Sequence, residues 1–98
     1  MKSASQAAKQ AAEMLAIQAL TFIAEEPERL ARFLDITGMT AADVRPASRE
    51  PGFFAGVLEH MLADESLLIA FADSAGIDPA EVARAYHALG ERKDRDMP

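Results

Sequence analysis

Residues 51–76 read PGFFAGVLEHMLADESLLIAFADSAG, the most apolar stretch of the chain, broken by one polar notch at Asp64 and Glu65. Before the notch, Phe53, Phe54, Val57, Leu58, Met61 and Leu62 are spaced one, three and four apart, which predicts an amphipathic helix with a broad apolar face. After it, Leu67, Leu68, Ile69, Phe71 and Ala72 predict a helix that is apolar almost all round and therefore buried. Asp64 suits the cap of this second helix, because its carboxylate can accept a backbone N–H of the first turn. The two segments are expected to form consecutive helices meeting at a tight corner, with the rest of the chain packed on them.

Upstream, Ser3 or Ser5 can cap a long first helix reaching to about Glu25. Its alanine-rich first half has a wet side at Gln6, Lys9, Gln10 and Glu13. Its second half (Leu15, Ile17, Leu20, Phe22, Ile23) needs cover on more than one side. Pro27 restarts the helix, because its missing N–H is no loss in a first turn, and Glu25, Glu26 and Glu28 suit the positive end of the dipole. Leu30, Phe33, Leu34 and Ile36 are expected to face inward, and Gly38 to stop the helix. Thr40 then caps a short helix over 41–44, closed by Arg45-Pro46. Pro51 is expected to open the central helix, within which Gly56 predicts the close approach of a neighbouring helix. Gly76 ends the next helix and Asp78-Pro79 starts the last, which presents Val82, Ala83, Tyr86 and Leu89 and should stop near Gly90. Residues 91–98, ERKDRDMP, have no apolar anchor and are expected to be a disordered charged tail beyond a single domain spanning 1–90.

Composition narrows the function classes. The 98 residues suit one small domain with a thin core. A net charge of −6 disfavours binding to phosphate backbones or to an anionic membrane surface. No uncharged apolar run approaches the length of a spanning helix, and Lys9, Gln10 and Glu13 interrupt any signal-peptide core. The absence of cysteine removes disulfides and thiolate metal sites and fits a reducing, cytoplasmic setting.

Sliding the chain on itself so that Gly76 falls on Gly38 also sets Leu20 on Leu58, Leu30 on Leu68, Phe33 on Phe71, Asp35 on Asp73 and Val44 on Val82. This is consistent with a two-fold internal pseudo-repeat of helical corners, with Phe33 and Phe71 in equivalent core sites. It is equally consistent with convergence on ordinary helix punctuation. The phrase Phe-x-x-x-x-Gly-apolar-x-x-x-x-Val, at 33–44 and 71–82, also resembles the turn of helix-turn-helix proteins. A DNA reader needs base- and phosphate-contacting groups on its second helix, however, and here the start of that helix offers Asp78, Pro79, Ala80 and Glu81. A degenerate helix-turn-helix regulator would have to assemble a basic patch from Arg29, Arg32, Arg45 and Arg49, across a dimer.

No catalytic constellation stands out. His60 and Asp64 have helical i, i+4 spacing, but two ligands do not make a metal site and Asp64 is better used as a cap. His87, beside Tyr86, is expected at the surface or rim. Ser66 and Ser74 have no histidine–carboxylate partners at motif spacing, and no Gly-rich phosphate cradle is present. An enzyme is not expected, nor a metal or cofactor. What remains is surplus apolar surface, for which Phe53, Phe54, Val57, Met61, Leu67 and Ile69 are the candidate interaction face. These features together predict an all-α bundle of five or six short helices. The expected role is a non-enzymatic module that associates with itself or with a protein partner.

Pro27-Glu28-Arg29-Leu30, Phe33-Leu34, Thr37-Gly38, Val44-Arg45, Pro51-x-Phe53 and Leu62-x-Asp64-Glu65 together resemble a family of short acidic alphaproteobacterial proteins, the domain of unknown function 3572. The likeness covers residues 8 to about 88. It implies a small all-helical protein in a bacterial cytoplasm and assigns no activity, so no functional residue carries over.

Overall fold

Backbone punctuation sets the helices of the computed structural model, which describes the backbone of residues 2–50 and 52–96, and side chains within 6–50 and 52–90. Among the described residues there are six helices and no strand: α1 (Lys2–Ala24), α2 (Pro27–Thr37), α3 (Ala41–Ala47), α4 (Phe53–Ala63), α5 (Glu65–Ala75) and α6 (Pro79–Asp96). Pro27 stands in the first turn of α2, and α2 and α5 end at Gly38 and Gly76, whose φ angles of 76° and 70° are left-handed. The Asp64 carboxylate accepts the Leu67 N–H at 3.2 Å and so caps α5. At the start of α3 the Asp43 carboxylate accepts the Thr40 N–H at 3.0 Å, and hydrogen bonding from Thr40 holds the Asp43 pKa below the usual carboxylate value.

Several boundaries differ from expectation. α1 already begins at Lys2, ahead of both serines expected to cap it. α3 continues through Pro46 to Ala47; at the sixth of seven residues the proline costs this short helix a single backbone bond. Pro51 lies outside the described residues, and α4 starts at Phe53. α6 does not stop near Gly90 but runs to Asp96, since a lone glycine weakens a helix without ending it.

The core lies where α1, α4 and α6 pack most extensively on one another, with α2 against α1 and α5 against α4 and α6. Ala12, Ala16, Ala19 and Ile23 form one buried stripe of α1, and its small side chains let α4 and α6 come close. Val57, Leu58 and Met61 of α4 and Val82 of α6 fill the space between and are fully buried. Each such aliphatic side chain contributes about 1.5–3 kcal/mol on burial. The chain has a radius of gyration of 13.5 Å, as expected for a packed domain of this length.

Central helix α4 is therefore where the sequence places it, and α5 packs on it as expected, but α1 and α6 cover more of it. Only Phe71 and Ala72 of α5 are buried, and Ile69 is 53% exposed. An apolar composition all round does not force burial when one face already reaches the core. Phe33 and Phe71 are both buried, yet in different company: Phe33 meets the His60 ring, and Phe71 meets the Phe22 ring at 5.5 Å. The element after each glycine also differs, since α3 only leans Val44 and Ala47 on the core while α6 completes it.

An unforeseen staple ties α1 to α2. The Arg29 guanidinium lies 4.0 Å above the Phe22 ring, and its Nη1 donates to the Phe22 carbonyl at 3.3 Å. That carbonyl is among the last four of α1, which have no partner within the helix, so the arginine both caps the helix and complements its negative end.

Candidate functional site

The face expected to bind a partner is mostly spent inside the fold. Val57 and Met61 are fully buried, Phe53 is buried against the core cluster, and Phe54 and Leu67 are half-buried, which leaves Ile69 as the one exposed member. The reason is geometric: the apolar face of α4 is the face that α1 and α6 cover.

The opposite side of α4 is open. Gly56, Glu59, His60 and Ala63 recur at helical spacing along it and front Arg32, Ile36 and Thr37 of α2 across a cleft of about 480 Å³, closed at one end by Asp64. Arg32 and Asp64 approach to 3.9 Å, the arginine side chain largely in solvent, so the pair contributes little to stability. Ile36, expected to face inward, is instead 64% exposed at the rim. Gly56 was expected to mark a helix crossing. Among the described residues no atom of another element lies within 4 Å of where its Cβ would be, so no neighbouring helix uses the space it leaves.

His60 forms the floor. It is 8% exposed, and its ring stands edge-on to Phe33 with centroids 5.1 Å apart. The Thr37 hydroxyl, its polar neighbour in the cleft, donates instead to the Phe33 carbonyl at 2.8 Å. Among the described residues no hydrogen bond reaches the His60 ring. No fully enclosed side-chain nitrogen or oxygen lacks a partner there, so the His60 ring nitrogens are not sealed from solvent, and the residue lines the cleft. Burial pushes the His60 pKa below the ordinary histidine value; Asp64 pulls it back up and Arg32 adds to the lowering. A neutral imidazole facing an open cleft offers one hydrogen-bond donor and one acceptor. Three His, Cys, Asp or Glu side chains placed to hold a metal are absent among the described residues.

His87 is exposed beside Tyr86, as its position suggested. Of the four arginines that a DNA-binding reading would need, Arg29 is engaged with Phe22 and Arg32 lies beside Asp64, while Arg45 and Arg49 are exposed. Among the described residues no helix is long and apolar enough to cross a membrane. The sequence reading missed the cleft because it needs two helices that are not neighbours in the chain. Gly56, expected to mark the close approach of a neighbouring helix, lines the cleft instead.

Neither the curated proteins nor the solved structures give a match. The family of proteins of unknown function DUF3572 matches residues 9–92, nearly the whole folded chain. The chain belongs to this family, the one its Pro27-to-Glu65 motifs resemble.

Proposed function

We propose that the protein is a non-enzymatic interaction module that takes up a helical segment of a protein partner in the cleft between α2 and α4. One observation carries this reading: Gly56, the fourth residue of α4, weakens the helix by about 0.5–1 kcal/mol relative to alanine, yet among the described residues no other element occupies the space it leaves. A glycine there lets an external backbone approach closely. The cleft around it supplies an apolar rim at Ile36 and a hydrogen-bonding floor at His60. With two carboxylates, Glu59 and Asp64, against the one Arg32 in the lining, and a net charge of −6, the fitting occupant is an amphipathic helix with a basic flank. The cytoplasm is the setting that goes with this reading, and the lack of cysteine fits it. A degenerate helix-turn-helix regulator has less support, because Arg29 is held on Phe22 and Arg32 stands beside the Asp64 carboxylate.

The test is capture from the source cells with wild-type protein and with Gly56→Leu, which fills the cleft without touching the core. Wild type should retain a partner that Gly56→Leu loses while melting no lower. Retention of the same proteins by both would overturn the proposal.

A further inference from the structure

Helix α2 is secured more firmly at one end than at the other. The Arg29 staple ties its first turn to α1, on which α2 mainly packs, while its contact with α4 is sparse. Phe33 is its one buried residue, and Leu30 and Leu34 only lean on the core. Two ties join the second half of α2 to α4 and its corner: the Phe33 ring on the His60 ring, and Arg32 beside Asp64. His60 is also the one buried polar side chain among the described residues, so the apolar anchor of α2 rests on a group that can take up a proton.

We propose that His60 is a pH-operated latch: protonation of its ring releases the Phe33–Thr37 half of α2 from α4. A neutral imidazole can lie against the Phe33 ring as another aromatic ring does. An imidazolium there is a cation with two N–H donors in a site closed to most of the surrounding water. Few charged groups face it. Asp64 attracts it, but one oxygen of that carboxylate caps the Leu67 N–H and the other stands 3.9 Å from Arg32. Glu59, on the same helix, lines the cleft and is exposed to water. Arg32, carried by α2, repels the new charge. Among the described residues α1, α3, α5 and α6 bring no charged side chain to the cleft. An outward swing of α2 hydrates the ring and separates the two cations in one motion. Burial disfavours the charged ring while α2 is docked; Asp64 opposes that effect and Arg32 adds to it. Released, the ring returns towards its ordinary value of 6.5. Docking is therefore full above that value and is lost as pH falls below it, towards the lowered docked value. Arg32, Ile36 and Thr37 leave with α2, so the cleft loses one wall. The latch needs no occupant in the cleft and stands or falls apart from the function proposed above.

Amide hydrogen exchange of the full chain reads the latch, followed by NMR from pH 7.5 to 5.5 and corrected for the intrinsic pH dependence of exchange. Undocked, the 11 residues of α2 are too few to hold a helix in water, so their amides exchange on release. The opening constant at Ile36 and Thr37 should exceed that of Val82 in the core at every pH and barely respond to dilute urea. It should rise about threefold or more over this range, and by no more than about tenfold per pH unit, because one proton is taken up. His60→Gln, neutral at every pH, should flatten the rise, and His87→Gln should preserve it. In wild type the rise should follow the His60 ring resonance, which decides the matter even if the His60 variant does not fold. A smaller rise, an opening equal to that of Val82, persistence in His60→Gln, or a rise that follows the His87 resonance instead would each overturn the inference.

Discussion

Replacing Gly56 by alanine adds one methyl group at the fourth residue of α4, at a site with ordinary helical backbone and, among the described residues, no other element within 4 Å of the new carbon. No packing is lost and no clash is created, so the balance is set by the backbone alone. Glycine in a helix interior is about 0.8–1.0 kcal/mol less favourable than alanine, chiefly through the freedom it has in the unfolded chain. The substitution should therefore stabilise the protein by about 0.5–1 kcal/mol. For a domain of this size that raises the melting temperature by about 2–8 °C. Thermal melts by circular dichroism and urea titrations read the effect, with a higher midpoint at an unchanged m-value. A lower melting temperature would mean that a neighbouring element does pack on Gly56, and the open cleft, with the function built on it, would fall.

Removing the α1–α2 staple with Arg29→Ala should lower stability by about 1–2 kcal/mol, from the stacking on Phe22 and the bond to its carbonyl together. Arg29→Met, which keeps much of the stem, should recover part of this in urea titrations. Asp64→Ala should lower stability by about 1 kcal/mol by uncapping α5, while Asp64→Asn retains an acceptor for the Leu67 N–H and should lose less. His60 is held neutral by the fold, so the unfolded chain takes up its proton first. Stability should be full above the ordinary histidine value of 6.5 and fall as pH drops below it towards the lowered folded value. Urea midpoints between pH 7.5 and 5 should show this decline in wild type and a weaker one in His60→Phe.

Helix boundaries were largely legible because their signals are local. Pro27, Gly38, Asp64, Gly76 and Pro79 each act within one turn, and each stands where its chemistry predicts. Packing was less legible, because it depends on which face the rest of the chain happens to cover. Val57 and Met61 of α4 were assigned to a candidate interaction face and lie in the core, while Ile36 was placed inside and lies at the rim. Apolar side chains on α5 outnumber its contacts with the core, so composition overstated its burial. Arg29 and Phe22 escaped notice because their contact crosses a corner, where helical spacing rules do not apply. The cleft was invisible for the same reason: Gly56 and His60 come from one helix and Arg32 and Ile36 from another.

The docking role of the cleft is tested most directly by placing a photo-cross-linking amino acid at Ile36 and irradiating living source cells. The account predicts one discrete adduct to another protein from position 36, its disappearance when Gly56→Leu is added, and none from the exposed position Glu81 on α6. An adduct pattern identical at 36 and 81, or unaffected by filling the cleft, would contradict it.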